Sequence, residues 1–246
     1  GIRSFNRKMP EEINRLITDH IAEICFAPTN NAVINLKNEG IESKKIIMTD
    51  DVMADATRIY GEISNKNSSI INKLNLKGKS FILATIHREE NTDKKEILES
   101  IFSAFNNVLK NKNVEIVLPL HPRTEKAIQK NNLDFLLKDI KCINPIGFLD
   151  MISLEKHASL IVTDSGGVQK EAFFNNTKCI TVRTETEWVE LVECGWNTLV
   201  EPSNTEELYL EIIKNLNQKS ILTKPELYGR GYAAKEIANY IIKFFN

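Results

Sequence analysis

From about residue 80 onward, short runs rich in Ile, Val and Leu alternate with longer stretches whose apolar residues recur every three or four positions. The runs are "FILATIH", "VEIVLPLH", "IKCINPI", "SLIVTD", "KCITVR" and "NTLVEP". They are followed by amphipathic stretches at 94–110, 122–138, 148–157, 167–175, 187–194 and 205–217. Apolar runs without polar alternation suit strands buried on both faces, and their strict alternation with helical stretches predicts a Rossmann-like α/β domain, a doubly wound parallel sheet of about six strands over residues 80–246. Residues 61–80, "GEISNKNSSIINKLNLKGKS", lose this pattern and fill with Asn, Ser and Lys, so that 65–79 reads as an interdomain connection. Residues 1–64 hold two further strand-like runs, "EICFAP" and "KIIMTD", with helices predicted at 10–22, 29–39 and 51–64. That is too little for a doubly wound domain, and it reads as the tail of one.

Composition narrows the class of protein. Of 246 residues, 42% are hydrophobic and 26% charged, which is ordinary for a globular protein, and no apolar run approaches the ~20 residues of a membrane span. With 32 basic against 33 acidic residues the net charge is −1, so no global field would draw nucleic acid or an anionic membrane, and any bound anion must be held locally. Cys25, Cys142, Cys179 and Cys194 lie far apart, the first three in runs that read as strands; reduced core thiols of a cytoplasmic protein are expected. The polar opening "GIRSFNRKMPEE" has no secretory character.

In a parallel sheet of this kind ligands bind beyond the carboxyl ends of the strands. His87 ends the first run, His121 the second, "DSGG" the fourth and Arg183 the fifth. The segment "IVTDSGGVQKEAFFNN" predicts a helix with Val168, Ala172 and Phe173 on its buried face, yet it opens on two glycines, each worth about 1 kcal/mol less than alanine inside a helix. Ser165 alone would serve as N-cap. Gly166 and Gly167 fit either a tight strand-to-helix turn or a phosphate that must approach bare N–H groups at the helix start. Glu171 lies too far along for a capping box with Ser165; it fits either a carboxylate that accepts the two hydroxyls of a ribose or a solvated helix face. His87 is followed at once by Arg88, Glu90 and Asn91, a density of charge beyond the needs of a loop. His20 and His157 read as satisfied imidazoles, and no His/Asp/Glu set has the spacing of a metal site.

Taken in order, "RKMPEEINRLITDHIAEICFAPT", "HREEN", "HPRT" and "TDSGGVQKEA" resemble the non-hydrolysing UDP-N-acetylglucosamine 2-epimerases over essentially the whole chain. The resemblance implies two Rossmann-like domains in the GT-B arrangement, with the N-terminal one largely missing from these residues. It implies interconversion of UDP-GlcNAc and UDP-ManNAc without NAD, metal or other cofactor, by elimination of UDP to 2-acetamidoglucal and re-addition, in the service of surface polysaccharide or glycan precursors. By the same resemblance Ser165, Gly166 and Gly167 match the diphosphate turn, Glu171 the ribose ligand and Met151 the position where uracil packs. Glu11 and His87 match catalytic positions, while Arg88 and His121 match positions that contact nucleotide or the regulatory UDP-GlcNAc of bacterial members. A homodimer in the cytoplasm is implied for the full-length enzyme.

Trp188 stands where the bacterial pattern has an arginine, with Arg183 or Arg123 as available replacements, and "TETEWVELVECGWN" resembles an archaeal-like branch and relatives acting on diacetamido uronic acid sugars. Asp50 replaces the glycine usual before "DV". The family's His-x-Glu-Ala, expected just before a residue like Gly1, is not in the sequence, so the chain reads as the C-terminal part of an epimerase that lacks two catalytic acids. Two rival readings are a GT-B glycosyltransferase using a UDP-sugar and a UDP-binding fragment without activity of its own.

Overall fold

The computed structural model describes residues 1–218 and 223–245. It divides into two compact units, Gly1–Ile59 together with the chain from Pro225 onward, and Tyr60–Lys224. The first unit contains α1 (Pro10–Ile21), β1 (Cys25–Ala27), α2 (Asn30–Asn38) and β2 (Ile46–Met48), with β1 and β2 paired in parallel around a small core of Ala27, Ala32 and Leu36. Proline opens α1 at the one place where its missing N–H costs nothing. Glu12, behind it, is buried and accepts the backbone N–H groups of Ser4 at 3.0 Å and Phe5 at 3.1 Å and the Arg15 guanidinium at 2.6 Å. Burial pushes its carboxyl up, but these donors outweigh burial and hold it below the usual range. α3 (Val52–Asn67) follows.

The second unit runs α4 (Ile70–Lys73), β3 (Phe81–Thr85), α5 (Glu89–Thr92), α6 (Lys95–Asn111), β4 (Glu115–Pro119), α7 (Pro122–Lys130), β5 (Lys141–Ile143), α8 (Phe148–His157), β6 (Leu160–Thr163), α9 (Gly166–Phe174), β7 (Cys179–Val182), α10 (Val189–Glu193), β8 (Asn197–Val200) and α11 (Thr205–Asn217). All six of its strands pair in parallel, in the order β5-β4-β3-β6-β7-β8. Alternate residues of each strand feed opposite layers. Ile82 and Ala84 pack with α6 and α11, while Phe81 and Leu83 pack with α4, α8 and α9. This is the doubly wound α/β fold expected. The chain goes outward from β3 to β5, then returns to the other side of β3 with β6, so the topological switch point lies between β3 and β6.

Four expectations differ from the structure. The polar connection at 65–79 contains the end of α3 and all of α4, and Ile70 and Leu76 are buried in the second unit's core; its Asn and Lys residues are mostly exposed while the apolar ones between them turn inward. The helix expected at 122–138 stops at Lys130, where Asn132 takes a left-handed φ of 56° before a 3-10 turn at Asp134–Leu137. Cys142 sits on edge strand β5 and is exposed, and Cys194 is half-buried, so only Cys25 and Cys179 are core thiols. The chain from Pro225 onward, expected to close the second domain, groups with the first unit and carries a further helix, α12 (Ala233–Phe245). Asp55 caps it, accepting the N–H groups of Ala233 at 2.9 Å and Ala234 at 2.8 Å. Among the described residues no helix is long and apolar enough to cross a membrane.

Candidate functional site

At the switch point the chain leaves β3 and β6 side by side, and one carboxylate ties the two exits together. Asp164 is fully buried. It accepts the backbone N–H of His87 at 2.9 and 3.1 Å, that of Arg88 at 2.9 Å and the Asn91 side-chain amide at 3.1 Å. Asn91 donates onward to the Val182 carbonyl of β7 at 3.1 Å. The His87 ring is part-exposed, with Nδ1 3.3 Å from Asp164 Oδ1 and its centroid 5.4 Å from that of His121. His121 caps α7 by accepting the Arg123 N–H on Nδ1 at 3.1 Å, which requires any proton on a neutral ring to be on Nε2. Three loops are thus locked so that two imidazoles meet at the carboxyl edge of the sheet.

The glycine turn lies against them. Ser165 is at the N-cap position of α9, but its side chain makes no capping bond, contrary to the simplest expectation. The turn is held by its backbone instead. Ser165 N donates to Thr163 Oγ1 at 2.9 Å, the Ser165 carbonyl accepts Gln169 Nε2 at 3.2 Å, and the Gly166 carbonyl accepts Trp188 Nε1 at 2.8 Å. Gln169 is anchored in turn by Thr186 at 2.7 Å and Asn197 at 3.1 Å. Gly166 has no positive φ, and a Cβ there would meet only Glu187 at 3.6 Å and Trp188 at 3.9 Å, ordinary contact distances. Neither backbone strain nor crowding requires glycine at this position, so the argument from a tight turn loses its force for Gly166. The other alternative is the approach of a ligand to the N–H groups of the first helical turn.

Arg183 leaves β7 and is buried, donating to Glu187 at 2.9 Å; its other terminal nitrogen, Nη2, is buried without a hydrogen-bond partner in the structure. Arg88 reaches Glu187 from the opposite side at 4.0 Å. Burial pushes the Glu187 carboxyl up, but Arg183 and then Arg88 outweigh it and hold it below its ordinary value. Arg123 bonds Glu89 at 2.6 Å, so both arginines considered as replacements for the family's missing cation are engaged by acids. Trp188, expected in that cation's place, carries the Lys170 ammonium 4.1 Å from its ring centroid.

One turn along α9, Glu171 is not on a solvated face. Its carboxyl meets that of Glu155 on the neighbouring helix α8, and burial raises both above the usual range, Glu155 well above it. Met151 lies on α8 one turn before Glu155, its N–H on the Gly147 carbonyl at 3.0 Å, half-buried against the core beneath α9. His87, Arg88, His121, Ser165, Gly166, Gly167 and Arg183 therefore share one edge of the sheet, with Glu171 and Met151 on the two helices that flank it. Glu11 lies in the other unit, exposed in the first turn of α1 beside the buried Glu12. His20 and His157 bond helix carbonyls four residues back. Sequence reasoning missed Asp164, although it was quoted within "TDSGG", and also Glu155, Glu187 and Glu12.

The UDP-N-acetylglucosamine 2-epimerase family model matches residues 1–242. A UDP-N-acetylglucosamine 2-epimerase homolog of Methanococcus maripaludis is 49% identical over 98% of this chain, and the UDP-2,3-diacetamido-2,3-dideoxy-D-glucuronate 2-epimerase of Pseudomonas aeruginosa is 45% identical over 99%. The crystal structure of Methanocaldococcus jannaschii UDP-GlcNAc 2-epimerase in complex with UDP-GlcNAc and UDP superposes with a TM-score of 0.90 at 41% identity, over 99% of this chain and 67% of that one. The chain spans 66% of the length of the two curated relatives. On sequence, fold and the order of its motifs, the chain belongs to the UDP-N-acetylglucosamine 2-epimerase family.

Proposed function

We propose that this chain carries the nucleotide site and part of the catalytic apparatus of a UDP-sugar 2-epimerase that interconverts UDP-GlcNAc and UDP-ManNAc. The observation that carries the reading is the glycine turn at the switch point, where Gly166 opens a helix without any structural need for glycine and two imidazoles stand beside it. The diphosphate takes the N–H groups of Gly166 and Gly167 with Ser165, uracil packs at Met151, and the ribose hydroxyls are accepted by Glu171. His87 sits at the diphosphate as it departs, with Arg88, His121 and Arg183 around it. The C2 hydrogen is not acidic in the ground state. It leaves as a proton only as the C1–O bond breaks, with UDP taking the bonding pair and a C1–C2 double bond forming; re-addition from the other face with protonation at C2 completes the inversion. Glu11 is one acid for that proton transfer. A cytoplasmic homodimer with regulatory UDP-GlcNAc is the family-level extension of this reading.

A second substrate, UDP-2,3-diacetamido-2,3-dideoxy-D-glucuronate, is favoured by the 45% identity to the Pseudomonas enzyme. Incubation of a full-length protein, N-terminal domain included, with each UDP-sugar in heavy water, followed by NMR, separates the readings. The 2-epimer with deuterium at C2 is expected, and whichever sugar turns over faster names the substrate. Epimer without deuterium would refute elimination, and sugar transfer to an acceptor without any epimer would favour the glycosyltransferase.

A further inference from the structure

Glu155 is used by none of the steps above, yet it is as fully buried as Asp164. It has no exposed surface, and its helix α8 packs against α9. One carboxyl oxygen, Oε2, accepts the Asn175 side-chain amide at 3.1 Å, and its backbone carbonyl accepts Thr177 Oγ1 at 2.7 Å. The other oxygen, Oε1, has no N–H or O–H partner, while the carboxyl as a whole meets that of Glu171. Two ionised carboxylates can only repel, since neither has a hydrogen to donate. A hydrogen bond between them needs one shared proton.

We propose that Glu155 is a positioning residue for nucleotide recognition: it stays protonated and donates its O–H to Glu171, so that a single negative charge, held in one orientation, faces the ribose. This rests on the reading of Glu171 as the ribose ligand. The arrangement solves a problem of that reading. A half-buried carboxylate is costly to keep ionised, and a lone Glu on a helix has free rotamers; an O–H donor behind it lowers the first cost and removes the second freedom.

Other ionisable groups around the pair do not supply the missing donor. Lys170 is on Glu171's own helix and favours its charge, but its ammonium is over the Trp188 ring. Lys156 and His157 on α8 and Lys73 on α4 are exposed, and Asp150 at the start of α8 accepts Ser68 Oγ. Cys179 of β7 is pushed up to about 12 by burial and stays a thiol. The pair therefore titrates as a unit. On acidification Glu171 gains a proton and loses its acceptor strength. On alkalinisation Glu155 loses its proton, and the two charges push apart.

UDP-GlcNAc is a suitable probe, because its diphosphate, esterified at both ends, does not titrate across the working range. Calorimetry across pH is expected to show wild-type affinity falling at both ends. Glu155→Gln, which keeps an N–H donor but cannot ionise, should bind within about threefold of wild type near neutrality and lose the alkaline fall. Glu155→Leu, without a donor, should bind at least about tenfold more weakly and move the acid fall to higher pH. Infrared spectroscopy of the unliganded protein should show a carboxylic acid carbonyl band at neutral pH that Glu155→Gln removes. Identical profiles for wild type, Gln and Leu variants, or no such band, would overturn the proposal. If Glu171→Ala binds as wild type does, the ribose reading itself fails, and this arm distinguishes the two failures. Thermal unfolding of the Leu variant checks that it is folded, and the Gln variant decides the matter if it is not.

Discussion

At the scale of single residues, two carboxylates on facing helices carry much of the specificity expected of the site. If Glu171 holds two ribose hydroxyls through charge-assisted bonds, Glu171→Ala should weaken UDP by about 1.5–3 kcal/mol, the range for hydrogen bonds to a charged group, with little effect on folding. Calorimetry with UDP and its 2′-deoxy analogue checks this, since the variant should no longer distinguish them. His87→Ala should slow epimerisation by at least about a hundredfold, the low end for a positioned acid or base, as read by NMR. The residues that stand at the strand ends were legible in the sequence: His87, Arg88, His121, Arg183 and the glycines all lie just beyond an apolar run. Those that hold them were not. Asp164 works through backbone N–H groups of a loop 77 residues away, and Glu155 meets its partner across a helix pair. Such contacts depend on strand order, which periodicity does not encode.

At the scale of elements, α9 is the decisive piece, because the proposed diphosphate turn opens it on two glycines. A Cβ on Gly166 meets nothing closer than 3.6 Å. Gly166→Ala should therefore leave unfolding unchanged or raise stability by up to about 1 kcal/mol, while UDP binds more weakly. Denaturant titration and calorimetry on the same sample separate those effects; lost stability with unchanged affinity would mean that the glycine serves packing. The alternation of strands and helices was readable because a two-sided parallel sheet leaves unbroken apolar runs. α4 was hidden by the Asn, Ser and Lys around Ile70 and Leu76. α12 carries a helical stripe of Ala233, Ile237, Tyr240, Ile241 and Phe244, whose membership of the first unit could not be read from position along the chain.

At the scale of the molecule, the first unit has stability anchors of its own. Gly229 has a φ of +78°, and a Cβ there would lie 1.7 Å from Asp50 Cγ, so Gly229→Ala should destabilise the first unit by at least about 1–2 kcal/mol from the left-handed backbone alone. Thermal unfolding should show it, while UDP affinity of the second unit stays as in wild type. The Asp50 carboxylate accepts the Arg230 N–H at 3.3 Å in the same turn. Acid dependence in that unit should centre on Glu12. Its folded pKa lies below the unfolded one, so its stabilisation is present above the unfolded value and is lost as pH falls through the folded value. Glu12→Gln should flatten that acid limb in a pH series of melting temperatures.

The return of α12 to Asp55 also imposes an order of events during synthesis. Residues 1–59 leave the ribosome before residues 60–224, yet their partner segment is made only after both. At ~5–20 residues per second the intervening stretch takes roughly ten to thirty seconds to translate. During that interval the second unit, which is continuous in the chain, can complete its sheet, while the first waits with its helix cap unfilled. The cap of α12 on Asp55 is thus late to form, whereas the small core around Leu36, built from residues 2–46, does not wait for it.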